Sequence, residues 1–398
     1  MNPTFIRLRR ACVAVAAASA LIAPLGAAPS HAAATPSPAD DTAFVELTPA
    51  VRAKLDAAIA KTLAETKVPG VIVGLWAPGK GSYVKTFGVA DKATGAPMET
   101  DLNFRIGSET KTFTVTALLQ LVDQGKAGLD DPIGKYVPGV PNGDEITLRE
   151  LAGMRSGLFN YSEDPDFDKA LEKNPDRPFT PQELLAYSFK HPVQFAPDAE
   201  FEYSNTNLIL LGLVVEKITG RPLHEVVNED VLVPAGLGAT LFPVGNRYPD
   251  PHPQGYTNQS ASGRIVNSTD WDPSWAWAAG AMISNLQDLR SWAKTVATGT
   301  LLKPATQAER LRTRPVGDIP GAGYGLGIFD VQGWIGHNGS IPGYQTLTVY
   351  LPEADATMVI ELNTDVAVDG QEPSTLFGEA VTAIVAPDHV YPGHKPTS

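Results

Sequence analysis

Phe104-Arg105-Ile106-Gly107-Ser108-Glu109-Thr110-Lys111-Thr112-Phe113 decides how the rest of this chain reads. A short apolar run and a glycine precede Ser108. From Thr112 to Gly125, Phe113, Val115, Leu118, Leu119, Leu121 and Val122 surround a helix nearly all the way round, which predicts a buried helix. Ser108 therefore opens that helix, where unsatisfied N–H groups and the positive dipole end stabilise an oxyanion. Lys111 lies one turn on, on the same face. The apolar surroundings strip it of water, which lowers a lysine's pKa and makes it a base able to deprotonate a serine.

The pattern Ser-x-x-Lys occurs three times, at Ser82-Lys85, Ser108-Lys111 and Ser291-Lys294. Context separates them. Ser82 and Lys85 fall on a predicted strand, where positions three apart point to opposite faces. Ser291 and Lys294 sit inside an amphipathic helix with no free backbone N–H nearby. Two further pieces of the same chemistry follow Ser108 in order. Tyr203-Ser204-Asn205 precedes an apolar helix from Leu208 to Ile218, closed by Thr219-Gly220. Tyr203 is placed to relay a proton to a leaving group, and Asn205 to bind a substrate carbonyl while holding Lys111. A second Tyr-x-Asn, Tyr256-Asn258, lies in a polar run and reads as a turn. His337-Asn338-Gly339-Ser340 reads as a strand whose glycine lets another backbone approach, with the Ser340 N–H as second oxyanion donor. Together the three elements predict an acyl-transfer site, with Ser108, Lys111, Tyr203 and His337 as catalytic residues and Asn338 and Gly339 docking the substrate.

Working outward, Thr48-Pro49 starts an amphipathic helix through Val51, Leu55, Ile59 and Leu63. Val71–Trp76 and Ser82–Val89 form a predicted hairpin around Pro78-Gly79-Lys80-Gly81. Near the other end, Gln345–Leu351 and Thr357–Leu362 form a second hairpin, followed by a helix from Ser374 to Val385. Ser284 is read as the cap of a helix through Leu289 and Trp292. The pattern predicts an α+β fold in which both chain ends build one antiparallel sheet flanked by helices. It divides the chain into an α/β lobe (48–125 and 280–386), an all-helical lobe (126–279), a flexible lead-in (33–47) and a polar tail (387–398).

Arg7-Leu8-Arg9-Arg10, the alanine-rich run Cys12–Leu25 and Ser30-His31-Ala32 make residues 1–32 an expected export signal, and Arg9-Arg10 leaves the route open between general and twin-arginine secretion. The sole cysteine, Cys12, lies inside that signal, so no disulfide or cysteine metal site is expected. The formal charge of −13 argues against nucleic acid as a partner. Seven histidines without a His-x-x-x-His pair argue against a zinc site, and no cofactor is expected. Secretion without a stable membrane anchor, action as a monomer and a small peptide, amide or β-lactam substrate complete the expectation.

These motifs resemble those of the serine β-lactamase and DD-peptidase superfamily, particularly secreted serine-type D-alanyl-D-alanine carboxypeptidases and class C β-lactamases. Further likeness lies in Asp130-Asp131-Pro132-Ile133, Arg155-Ser156-Gly157-Leu158, Ala279-Gly280-Ala281-Met282 and Tyr324-Gly325-Leu326-Gly327, and spans roughly residues 48–386. The resemblance implies an antiparallel sheet plus an all-helical lobe with the serine at their junction. It implies Ser108 as acylated nucleophile, Lys111 as its base, Tyr203 as proton relay and Asn205 as amide ligand. His337-Asn338-Gly339 stands where many relatives have Lys-Thr-Gly. Ile328-Phe329 stands where the carboxypeptidases carry an arginine for the substrate carboxylate. A carboxypeptidase is the leading expectation; an esterase, a β-lactamase and a D-aminopeptidase or amidase are the alternatives. Trp271, Trp275 and Trp277 are candidate pocket walls. Glu163, Asp164, Asp166 and Asp168 form an acidic run able to attract a cationic substrate end.

Overall fold

Thr48 accepts the Val51 N–H at 3.3 Å and caps helix α1 (Pro49–Thr66), with Pro49 in its first turn. The computed structural model describes residues 42–317 and 319–392; the export signal read at 1–32 lies outside them. After α1 come strands β1 (Gly70–Ala77), β2 (Gly81–Gly88) and β3 (Asn103–Arg105). Helices α2 (Thr110–Asp123), α3 (Pro165–Lys173), α4 (Asn205–Thr219) and α5 (Trp277–Gly280) occupy the middle of the chain. Strand β4 (Ile283–Asn285) and helix α6 (Leu286–Thr298) lead into β5 (Arg314–Pro315), β6 (Ala322–Tyr324), β7 (Phe329–Val331) and β8 (Trp334–Ile341). Strands β9 (Tyr344–Leu351) and β10 (Ala356–Leu362) and helix α7 (Pro373–Val385) close the fold.

Eight strands form one antiparallel sheet in the order β2-β1-β10-β9-β8-β7-β6-β5. The first and last long strands meet second and third from the β2 edge, with Val71 opposite Leu362 and Trp76 opposite Thr357. Both faces are covered, so every residue of β1, β9 and β10 is buried and these strands read as apolar runs without clean alternation. Val71, Val73 and Leu75 face Leu55 and Ile59 of α1 and Phe377 and Val381 of α7. Ile72, Trp76 and Val359 point the other way, into a core continuous with Phe113, Leu210, Leu211 and Trp292. Phe113 and Trp292 stack at 4.0 Å, and the Trp292 indole donates to Thr112 Oγ1 at 2.8 Å. No described helix is long and apolar enough to cross a membrane.

Three expectations need correction. The described part of the lead-in is docked: Ala43, Phe44 and Leu47 are buried, and the Val45 N–H donates to the Val385 carbonyl at 2.8 Å. The described start of the tail is docked too. Tyr391 is buried with its N–H on Thr382 Oγ1 at 2.8 Å, and the Trp334 indole donates to the His389 carbonyl at 2.8 Å. Few apolar residues suffice when each fills a groove at the sheet's covered face. The cap of α6 is Asn285, which accepts the Asp288 N–H at 3.0 Å; Ser284 is buried in β4 against Thr240.

Candidate active site

Strand β3 pairs with β4, and the Ile106 N–H continues that ladder to the Met282 carbonyl at 3.0 Å. The chain then turns through Gly107, at φ +50°, into a short 3₁₀ turn (Gly107–Glu109) that runs into α2. The turn lies against β8 backbone to backbone. A Cβ on Gly107 would stand 2.7 Å from Ser340 N, and one on Gly339 would stand 1.9 Å from the Ile106 carbonyl oxygen. Glycine at both positions is what brings strand and serine together.

Two-residue turns bound β8 at each end, pairing Trp334 with Val331 and Ile341 with Tyr344. In an antiparallel ladder this sends the bonds of even-numbered residues toward β7 and of odd-numbered residues toward β9. Strand β7 stops opposite Gly336. The N–H and C=O groups of Asn338 and Ser340 therefore extend past its end, toward the Ser108 turn. The Ser340 N–H joins that of Ser108, which heads a helical segment and lacks an intrahelical acceptor. Two such donors make an oxyanion hole.

Lys111 is fully buried; its Nζ contacts Ser108 Oγ and the Ala279 carbonyl, each at 2.8 Å. Burial holds its pKa well below the usual lysine value. Its Nζ donates to both oxygens, and the lowered pKa brings the amine closer to the neutral form able to take the Ser108 proton. Its nitrogen also lies 4.9 Å from the centre of the Tyr203 ring. The Tyr203 phenol is pushed up by burial, partly offset by its hydrogen bond with the Ser108 hydroxyl. Lys111, Ser108 and Tyr203 thus form one proton-transfer group.

His337 is brought beside them, with its ring 6.2 Å from that of Tyr203. It is buried, and its pKa is depressed to about 3 by that burial, with the charge of Lys111 adding to the effect. Nδ1 meets the Asn338 carbonyl at 2.5 Å, so Nδ1 carries the proton and Nε2 accepts from the Tyr324 hydroxyl at 3.3 Å. A neutral imidazole tied at both nitrogens is a positioning group, whereas the sequence reading counted His337 among the catalytic residues.

Asn205 also departs from expectation. Its side-chain amide donates to Ser162 Oγ at 3.1 Å rather than holding Lys111. Its backbone N–H donates to Asn160 Oδ1 at 3.0 Å, which also takes the Ser162 hydroxyl at 3.0 Å. Asn160 Nδ2 in turn donates to Glu163 Oε1 at 3.1 Å. Asn160 and Ser162 escaped sequence reading. Their signal was the Arg155-Ser156-Gly157-Leu158 landmark just upstream.

Beside Ser108 lies a cavity of about 520 Å³, whose lining includes Tyr203, Asn338, Ser340, Phe201, Phe329 and Glu372. None of the three tryptophans lines it. Trp275 packs 5.9 Å from Phe167, and the Trp277 ring lies over Gly212 of α4. Of the acidic run, Asp164 caps α3 and pairs with Lys190 at 2.9 Å and His191 at 2.6 Å, and Asp166 pairs with Lys169 and Lys190. Those two acids are structural.

Behind the nucleophile two carboxyls are sealed in. Glu109 and Glu361 are buried, Glu109 facing Thr346 and Thr348 and Glu361 opposite Thr346 in the ladder. Burial pushes Glu109 up to about 8 and Glu361 well above the carboxylate range, with the charge of Glu109 adding to the latter. A raised folded-state value means stability present at acid pH and lost as pH rises: from the unfolded value of 4.5 through about 8 for Glu109. Urea titrations should show wild-type stability falling by a few kcal/mol across that window, and Glu109→Gln should flatten the fall. An unchanged slope would mean Glu109 is ionised when folded.

The Ser–Lys–Tyr group around the buried Lys111, set against the edge of β8, is the arrangement of a serine hydrolase of the β-lactamase fold. The chain belongs to the β-lactamase family, whose profile matches residues 55–379. Among solved structures, a D-stereospecific amidohydrolase from a Streptomyces species is 33% identical, with a TM-score of 0.71 over 79% of this chain and 94% of that one. A D-amino acid amidase from Ochrobactrum anthropi SV3, complexed with L-phenylalanine amide, is 28% identical, with a TM-score of 0.72 over 86% and 96%. The esterase EstB of Burkholderia gladioli is 32% identical over 209 residues, 50% of this chain and 53% of that one. The chain spans 53 to 66% of the first curated relatives it matches.

Proposed function

We propose that this protein hydrolyses amides and esters of D-amino acids through an acyl-enzyme on Ser108. Lys111 takes the Ser108 proton, and Oγ attacks the substrate carbonyl. The Ser108 and Ser340 N–H groups hold the oxyanion. Tyr203 passes the proton to the departing nitrogen or oxygen, breaking its bond to the acyl carbon. Water then attacks the ester over the same groups in reverse. Asn205, steadied by Ser162, offers its remaining amide hydrogen to the acyl part. Glu163, attached to the same network through Asn160, offers a carboxylate to a free α-ammonium.

The observation that carries this reading is the cavity wall. Among its described lining residues there is no lysine or arginine to receive a terminal carboxylate, and Phe329 is part of the wall. The D-alanyl-D-alanine carboxypeptidase expectation thus lacks its recognition group. The two D-specific neighbours support the choice of amides and of hand. The test is ammonia release from D- and L-phenylalanine amide, run beside D-alanyl-D-alanine and benzylpenicillin. Release at least about 100-fold faster from the D-amide than from the others is expected, a difference near 3 kcal/mol. Turnover confined to D-alanyl-D-alanine or to penicillin would overturn the reading.

A further inference from the structure

We infer that the cavity beside Ser108 is a leaving-group pocket built for a large apolar group, an alkyl or aryl alcohol or amine, rather than for ammonia. The inference deepens the amide and ester reading and rests on Ser108 as nucleophile and Tyr203 as proton donor. Tyr203 protonates the departing atom, so the leaving group lies on the side of Ser108 that Tyr203 occupies. The cavity opens on that side: Ser108, Tyr203 and Phe201 line it, whereas Asn160, Ser162 and Asn205 of the acyl side do not.

Size and lining decide what fits. A cavity of about 520 Å³ lies within the range of about 300 to 1,000 Å³ that takes a drug-sized ligand. Ammonia, close in size to a water molecule of about 30 Å³, leaves it almost empty. Ala322 of β6 stands opposite Val331 of β7 in the ladder, and both line the cavity together with Phe201 and Phe329. The two phenylalanines are backed by the buried Tyr324, whose ring lies 5.6 Å from Phe201 and 4.5 Å from Phe329. The Tyr324 hydroxyl is itself tied to His337 Nε2 at 3.3 Å. A wall held in this way has little freedom left to lose when a ligand enters. The proton delivered through Tyr203 makes the alcohol or amine neutral as its bond to the acyl carbon breaks, so an apolar surface receives it without burying an ion. Each methylene that the wall covers then adds to transition-state binding.

The test holds the acyl part fixed and lengthens only the leaving alcohol, with the methyl, propyl, butyl, pentyl and hexyl esters of D-alanine. Wild-type kcat/KM should rise about two- to fourfold per methylene, so that the hexyl ester exceeds the methyl ester by at least about 30-fold. Ala322→Phe fills the cavity floor beside Val331 and should flatten the series to within about threefold from end to end. A flat series in wild type overturns the inference, and this arm stands whether or not the variant folds. A folded Ala322→Phe enzyme that keeps the wild-type slope overturns it as well. Should no D-alanine ester be hydrolysed, the D-amino acid reading fails. The acetates of the same five alcohols then test the pocket by the same slope.

Discussion

Replacing Ser108 with alanine should cut turnover of every amide and ester substrate by at least about 10⁴-fold while leaving the fold intact. Ser108 and Lys111 are expected to act as one unit, because the Ser108 Oγ lies 2.8 Å from the buried amine. Lys111→Met should therefore cost nearly as much, and the double variant no more than Ser108→Ala alone. Additive losses would show that the two residues work separately. The pH profile gives an independent reading. Burial holds Lys111 well below the usual lysine value. Activity of wild type should rise with pH on the acid side and be level by neutrality. A limb rising only near pH 10, the range of an ordinary lysine, would mean that Lys111 is charged and not the base.

Gly339→Ala should lower kcat by about 10²- to 10³-fold, the usual cost of losing one oxyanion donor. A methyl there would stand 1.9 Å from the Ile106 carbonyl oxygen and 2.7 Å from Thr346 Oγ1, so strand and serine turn must separate. Separation carries the Ser340 N–H off the oxyanion. Thermal unfolding run in parallel tells this apart from collapse. A folded variant with wild-type kcat would mean that β8 supplies no donor.

That Ser108 and Lys111 stand one helical turn apart was legible because the signal is local, and the apolar pattern of α2 announces the burial of Lys111. The two-ended sheet was legible because both hairpins carry strong turn chemistry. What the sequence hid is contact between distant segments. Asn205 was assigned to Lys111, yet Ser162 takes its amide, because the loop after Gly157 returns to the start of α4. His337 read as a catalytic member of its motif; only the neighbouring Asn338 carbonyl and Tyr324 hydroxyl reveal it as neutral and tied.

The pairing of β1 with β10 governs when this enzyme can exist. Close to three quarters of the 398-residue chain separates Val71 from its partner Leu362. Such a sheet is dominated by contacts far apart in sequence, which slows folding and delays it until synthesis is almost complete. A nascent chain released at residue 330 would already hold Ser108, Lys111 and Tyr203 but have no strand to supply the second oxyanion donor. Activity therefore arrives late and all at once, only after the strands from β8 to β10 have been made.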